Sequence, residues 1–450
     1  MSSSAMADTI VLYPSHGIGH MISTVELGKL FLKHRPSFSI TIFITTGATS
    51  PYVNHLIATT SSITFHHLPA VELPPTSTSL SPEELFFEIP RLNNPYVHQA
   101  LQDISRKSNI VAFFIDFFCN ASYQVSSKLG IPTYYFFTTG ASTLCHFLHI
   151  PTLHETIPKN IKDLHDYIQI PGIPPVYSQD MPKGMFDRES KAYKLILETA
   201  IQTGKSSGIL VNSFAALESR AVKALSDGLC IPKEQTPPIY CVGPLIASND
   251  GGSQSDEHEC LSWLNLQPSK SVVFLCFGSL GLFTAEQYYV SIMKLCLVEE
   301  LVNVSFLALT GFLKRTKDKG LVVKSWAPQV DVLSHDSVGG FVTHCGWNSV
   351  LEAICAGVPM LAWPLYAEQR MNRLFIVEEI KVALGLTESA NGFVTAAEFE
   401  KRIRELMDSK IGKAVRDQVM AMRNSAKAAI QDGGSSHLAM EKLIESLTKG

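Results

Sequence analysis

The sequence predicts an α/β protein of two Rossmann-like, doubly wound parallel-sheet domains facing each other across an interdomain cleft, and three observations predict it. Short β-branched apolar runs alternate with amphipathic helical stretches along most of the chain, as a parallel sheet covered by helices on both faces requires. A tract at 232–259, rich in Pro, Gly, Ser, Asn and Asp, lacks a sustained hydrophobic period and reads as an interdomain linker. Beyond it the alternation restarts, and 450 residues exceed a single domain at roughly 100–200 residues each. The expected boundaries are 1–245 for an N-terminal domain, 246–432 for a C-terminal domain, and 433–450 for a terminal helix that packs back on the first.

The apolar run at 9–13 enters the turn Ser15-His16-Gly17-Ile18-Gly19-His20, and Val25, Leu27, Leu30, Phe31 and Leu32 then mark a helix. Further strands are expected at 38–45, 63–66, 110–115, 133–137 and 208–211. After the linker come a strand at 271–276, the turn Phe277-Gly278-Ser279, a helix from Thr284, and strands at 321–324, 340–343 and 359–362. Ser435 and Ser436 supply N-cap hydroxyls for the terminal helix.

Composition excludes several functions. Hydrophobic residues make up 46% and charged residues 17%, ordinary for a globular protein, and 37 basic against 41 acidic residues leave a net charge of −4. Nucleic acid is therefore not an expected partner, since phosphate-backbone binding needs a basic excess. Nine scattered cysteines without a CxxC pair suit a reducing, cytoplasmic setting. The first residues lack the basic segment of a secretion signal, and Pro132, Gly140 and Pro151 interrupt the uncharged stretch 131–154, so no membrane association is expected. No Asp-x-Asp occurs to bridge a diphosphate through a metal, and His344-Cys345 has no second ligand pair at zinc spacing, so no metal or other cofactor is expected. Gly17-Ile18-Gly19 is only a fragment of a dinucleotide fingerprint, because position 22 is Ile where the third glycine belongs.

In open parallel sheets ligands bind beyond the carboxyl ends of the strands, and two such places carry chemistry. His20 closes the first strand-loop-helix turn and Asp116 ends the strand at 110–115, so the two can meet. An imidazole oriented by a carboxylate removes the proton of an attacking hydroxyl. On the residues alone, His16 and His20 are equal candidates for the base. The second place is the segment WAPQVDVLSHDSVGGFVTHCGWNSVLEAICAGVPMLAWPLYAEQ, Trp326 to Gln369. A strand there runs into His344-Cys345-Gly346-Trp347-Asn348-Ser349, where a helix starts with Asn348 or Ser349 as its cap. Its free N–H groups face an anion, and Gly346 lets the backbone approach closely. Glu352 lies one turn on, within reach of a ribose hydroxyl. Trp326 offers a flat face for a base, while Glu368 and Gln369 offer acceptors to sugar hydroxyls.

In order and spacing these residues resemble the 44-residue signature of plant UDP-dependent secondary-product glycosyltransferases, of which the subgroup acting on flavonoids, isoflavones, chalcones and small phenols is the most similar. The resemblance runs from Ile10 to about Leu447. It implies a glycosyltransferase-B fold, a UDP-glucose co-substrate and hexosyl transfer to a phenolic acceptor. It places Trp326 against uracil with Ala327 beside it, and Gln329 and Glu352 on the ribose and uridine side. His344, Asn348 and Ser349 hold the diphosphate, while Trp347, Glu368 and Gln369 contact the sugar. It makes His20 the base, with Asp116 behind it. Ser279, His344 and the helix N-terminus then stabilise the leaving diphosphate, and attack from the opposite face inverts the donor's configuration.

The resemblance breaks at 288–310. That stretch, YYVSIMKLCLVEELVNVSFLALT, is roughly two dozen residues short of the family's helix, Trp/Val-rich strand and long loop, more than a typical loop length. Asn303 to Leu309 is the expected substitute strand, and a catalytically impaired UDP-sugar-binding protein of the same fold is the second reading. A nicotinamide-dependent dehydrogenase is a further rival, disfavoured by the incomplete glycine fingerprint.

Overall fold

The computed structural model describes residues 6–45, 51–73, 79–247, 259–278, 320–323, 327–389 and 392–448. The chain divides into two compact units, one formed by Met1–Ala247 with Ala428–Gly450 and the other by Ser248–Lys427. The second division thus falls inside the helix Lys410–Ile430, where the sequence places the boundary at 433.

In the first unit, β1 (Asp8–Tyr13), β2 (Ser39–Ile44), β3 (Thr64–His67), β4 (Asn109–Asp116) and β5 (Thr133–Phe137) belong to one parallel sheet. β6 (Tyr167–Ile168) and β7 (Val176–Tyr177) form a separate antiparallel pair, and β8 (Gly208–Val211) and β9 (Ile239–Cys241) complete the large sheet. Its order is β3-β2-β1-β4-β5-β8-β9. The chain steps one way from β1 to β3 and the other way from β4 onward, so the topological switch point lies between β1 and β4. Strands buried on both faces explain the continuous apolar runs: Ile10, Val11, Leu12 and Phe113 are all 0% exposed. β9 corrects the reading of 232–259 as linker. Its three residues take their strand geometry from pairing with β8 (Leu210 opposite Tyr240), information a short Pro-flanked run does not carry.

The helix Pro82–Ser105 starts with a capping box: Ser81 accepts from the Glu84 N–H and the Glu84 side chain accepts from the Ser81 N–H. The terminal helix Ser435–Thr448 belongs to this unit, burying Met440, Leu443, Ile444 and Leu447 on one face against the core that holds Ile10, Leu12 and Tyr240. Ser436 does not cap it; its hydroxyl donates to the Gly243 carbonyl at 2.6 Å and pins the helix to the end of the sheet.

In the second unit, β10 (Val272–Cys276), β11 (Val338–Thr343), β12 (Met360–Ala362) and β13 (Ala383–Gly385) form a parallel sheet in that order. Trp363, Phe399 and Phe277 pack together on one face, with ring centroids 5.4–5.6 Å apart. The expected strand at 321–324 is not formed over 321–323, which have irregular backbone and no ladder partner among the described residues. The segment 288–310, with its expected substitute strand, lies outside the described residues.

Candidate active site

Three carboxyl-edge positions of the first sheet converge. Tyr13 at the end of β1 sits opposite Ile115 of β4, and Asp116 sits opposite Phe136 of β5, so the loops that follow these strands are neighbours. His20 comes from the first turn of the helix Ile18–His34 that follows β1. Its Nδ1 lies 2.6 Å from Oδ2 of Asp116, a residue 96 positions away, and 3.0 Å from Oγ1 of Thr138, just past β5. The other carboxylate oxygen of Asp116 accepts the Phe118 N–H at 3.0 Å, which fixes the carboxylate at the head of the short 3-10 helix Phe117–Ser122.

The carboxylate side chain is 1% exposed, whereas the imidazole is 23% exposed. An acceptor-only carboxylate at Nδ1 holds that nitrogen's proton in place and leaves Nε2 as the basic nitrogen. Phe86, Phe117 and Phe118 surround the ring at centroid distances of 6.5, 6.2 and 5.7 Å.

His16 makes no such pair. Its ring lies 4.1 Å from that of Phe86, its Nδ1 is buried with no hydrogen-bond partner among the described residues, and burial, with His20 nearby, lowers its pKa. Geometry thus separates two histidines that the residues alone left equal. Thr138 and Phe86 were missed in the sequence; a strand-end hydroxyl after β5 was the available signal for the first. Met181 and Met185 are 2% and 1% exposed and lie in the core.

In the second unit, β11 runs into His344, Cys345 and Gly346, and the helix Trp347–Ala356 begins with Gly346 as its N-cap. Asn348 and Ser349 therefore lie inside the first turn and do not cap it, because the chain turns one step earlier, at Cys345 with φ +67°. That unusual backbone is held by the Cys345 N–H donating to Oγ1 of Thr343 and by the Asn372 amide donating to the Cys345 carbonyl at 3.0 Å. Gly346 has no side chain with which to cap the helix.

His344 is 6% exposed and sits between two glycines: a Cβ on Gly278 or Gly346 would come within 2.6 or 2.4 Å of its Nε2. Burial pushes its pKa down to about 4 against a smaller upward pull from the Cys276 backbone, so the ring is neutral near pH 7. Its Nδ1 is buried and unpartnered among the described residues.

The Gln329 side-chain amide donates to Oγ of Ser349 at 2.9 Å and to Oε2 of Glu352 at 2.5 Å, joining three of the expected donor residues. Ala327 is buried beside them in the chain. Trp347 is 4% exposed with its ring 6.0 Å from Phe375. Glu368 heads the helix Gln369–Leu374, and the carbonyl oxygen of the Gln369 side chain accepts the Leu365 and Tyr366 N–H groups at 2.8 and 2.9 Å. That oxygen is thus committed to the backbone, which leaves the side-chain NH₂ as the group free of these two bonds. Ser279 and Trp326 lie outside the described residues. Among the described residues no group of three or more His, Cys, Asp or Glu is placed to hold a metal ion, and no helix is long and apolar enough to cross a membrane.

Two Rossmann-like units of this kind define a glycosyltransferase-B fold, and solved structures share it. UGT2 of Phytolacca americana, solved with UDP-2fluoro-glucose and pterostilbene, superposes with a TM-score of 0.88 at 35% identity, covering 98% of this chain and 100% of that one. The profile of the family "UDP-glucoronosyl and UDP-glucosyl transferase" matches residues 239–427. UDP-glycosyltransferase 88B1 of Stevia rebaudiana is 52% identical over 465 positions, covering 98% of each chain, and the anthocyanidin 5,3-O-glucosyltransferase of a Rosa hybrid cultivar is 48% identical over 473, covering 97% of this chain and 98% of that one. The chain belongs to the plant UDP-glycosyltransferases of secondary metabolism, and it is a glycosyltransferase that uses a UDP-sugar donor. Both alignments are longer than the 450-residue chain, so some positions of these relatives have no counterpart in it.

Proposed function

We propose that this protein is an inverting UDP-glucose-dependent O-glucosyltransferase acting on a phenolic or flavonoid hydroxyl, with His20 as general base and Asp116 as its orienting carboxylate. The observation that carries the reading is the 2.6 Å contact between His20 Nδ1 and Asp116 at the switch point of the first sheet. Nε2 takes the acceptor's hydroxyl proton as its oxygen bonds to the anomeric carbon. The bond from that carbon to the diphosphate breaks, and UDP leaves with the electron pair. Asp116 stabilises the imidazolium until its proton passes to solvent. Attack opposite the leaving group, through an oxocarbenium-like transition state, converts an α-linked donor to a β-glycoside.

On the donor side the N-terminus of the helix Trp347–Ala356 faces the diphosphate with the positive end of its dipole, with His344 beside it. Near pH 7 the neutral imidazole contributes a hydrogen bond rather than a charge. Trp326 and Ser279 are proposed at the uracil and the leaving diphosphate. The Gln329–Ser349–Glu352 cluster takes the ribose side, and Trp347, Glu368 and Gln369 take the sugar. Metal-independent transfer in the cytoplasm is part of this reading.

The acceptor class rests on the similarity to the Rosa anthocyanidin 5,3-O-glucosyltransferase and on the aromatic surroundings of His20. A second reading, a UDP-sugar-binding protein with impaired turnover, is favoured by alignments that exceed the chain's length. Incubation of a phenolic panel with UDP-glucose, read by mass, together with UDP calorimetry, separates the two. A hexose mass gain supports the first; UDP binding without transfer supports the second.

A further inference from the structure

Glu218 is a buried carboxylate, 1% exposed, that the transfer chemistry does not use. It precedes the helix Ser219–Ser226 but its side chain does not cap it. One oxygen instead accepts the Ala141 N–H at 2.7 Å and the Ser213 hydroxyl, and the other accepts the Ser142 N–H at 2.7 Å. Ala141 and Ser142 open the helix Ala141–Thr156, whose N-cap, Gly140, has no side chain to offer. The helix dipole and three donors favour a carboxylate there. Burial raises its pKa, and the donors from Ser213, Ser142 and Ala141 pull it back.

A Ser or Asp at position 140 would cap this helix locally. Holding it from 77 residues away ties the segment 138–140 to the loop that follows β8. That segment carries Thr138, whose Oγ1 lies 3.0 Å from the same His20 nitrogen that Asp116 holds.

We infer that Glu218 is a positioning residue for the base: it fixes the first turn of the helix Ala141–Thr156, that turn fixes Thr138, and Thr138 with Asp116 holds the imidazole of His20 with its proton on Nδ1. The inference rests on the reading of His20 as the base. An amide in place of the carboxylate has one acceptor oxygen instead of two, so E218Q leaves either Ala141 or Ser142 without its partner.

The test is steady-state transfer to a phenolic acceptor by the full-length protein and its variants E218Q, T138V, T138S, H20A and E218Q/T138V, with UDP affinity and Tm measured alongside. The expected result for E218Q is a drop in kcat of about tenfold with acceptor KM and UDP affinity within about twofold, the signature of a displaced reacting group rather than lost binding. T138V falls similarly, T138S recovers most of the loss, and the double variant is no slower than T138V alone, because the two changes break one chain of contacts. If E218Q does not fold, S213A, which removes one donor to the carboxylate, replaces it with a smaller drop that again vanishes on the T138V background. Multiplicative losses in the double variant, or an E218Q kcat within about twofold of the parent while H20A is inactive, overturn the inference and leave the base assignment standing. Turnover retained by H20A overturns that assignment, and the inference with it.

Discussion

Replacing Asp116 by Asn tests the imidazole's tautomer as well as the carboxylate's charge. Asp116 accepts two hydrogen bonds with different oxygens, from His20 Nδ1 at 2.6 Å and from the Phe118 N–H at 3.0 Å. Asn has one acceptor oxygen. If that oxygen faces His20, the NH₂ confronts the Phe118 N–H in a site where the side chain is 1% exposed, and an unmatched buried donor costs about 1–3 kcal/mol. The favoured orientation keeps the Phe118 bond and points NH₂ at Nδ1, which must then accept. The imidazole proton moves to Nε2, the nitrogen that has to be empty to take the acceptor's proton. Loss of general-base assistance is worth ~10²–10⁴ in rate, or roughly 3–5 kcal/mol of barrier. We expect D116N to lose turnover in that range with UDP affinity unchanged, and H20A to lose more. Turnover with a phenolic acceptor, UDP calorimetry and the ¹⁵N shifts of His20 make the measurement. D116N turnover within about threefold of the parent at neutral pH, or a ring that keeps its proton on Nδ1, refutes the reasoning; His16 is then the next candidate.

Acid should destabilise the protein through two buried neutral histidines, His146 and His344, whose pKa values burial lowers to about 4. Below pH ~6.5 the unfolded chain binds protons that the folded chain refuses, so stability present above that value is lost as pH falls toward 4, by about 3 kcal/mol per residue. Urea midpoints at pH 7 and 4.5 should differ by less in H146L than in the parent; equal differences contradict the account. For the donor, Trp347 presents no cation to a uronate carboxylate, so UDP-glucose is expected to be preferred, and W347R to shift preference toward UDP-glucuronate. An unaltered donor ratio in competition assays counts against that contact. Replacing 288–310 with a family-like helix, Trp/Val-rich strand and full loop is expected to raise Tm, UDP affinity and turnover together, since a central strand is worth several kcal/mol against a marginal total. Equal values for the two chains mean the short segment is tolerated.

How far the sequence could be read follows from where each element gets its stability. β5 and β8 match the expected strands at 133–137 and 208–211 because each is a continuous apolar run buried on both faces. β9 and β13 are defined by their ladders, Leu210 opposite Tyr240, and Met360, Leu361 and Ala362 opposite Ala383, Leu384 and Gly385. Helix starts depend on more than the local sequence. Asn348 and Ser349 look like caps, but the left-handed Cys345 turns the chain before them. Ser435 and Ser436 look like caps, but the second hydroxyl is spent on a carbonyl 193 residues away. Asp116 and His20 were legible as strand-end residues with complementary chemistry. Thr138 offers only its strand-end position after β5, and Glu218 offers nothing, since a glutamate becomes informative only when the sheet order is known.

That order also explains why the pair is held so firmly. β1, β4 and β5 are adjacent, and their registers, Tyr13 with Ile115 and Asp116 with Phe136, place the three strand ends at one level. Side chains alternate faces along a strand, so a slip of one residue in β4 would turn Asp116 to the opposite face of the sheet and put Ile115 or Phe117 beside His20. Such a slip would also carry Phe113 and Phe114 out of their own environments, where both are at most 1% exposed. Phe114 packs on Phe31 and Tyr134, and Phe113 on Tyr13 and Phe43, on the two faces of the same strand. The aromatic residues that give the sheet its core therefore fix the register on which the His20–Asp116 distance depends. Changes at these core positions should degrade turnover by loosening that register.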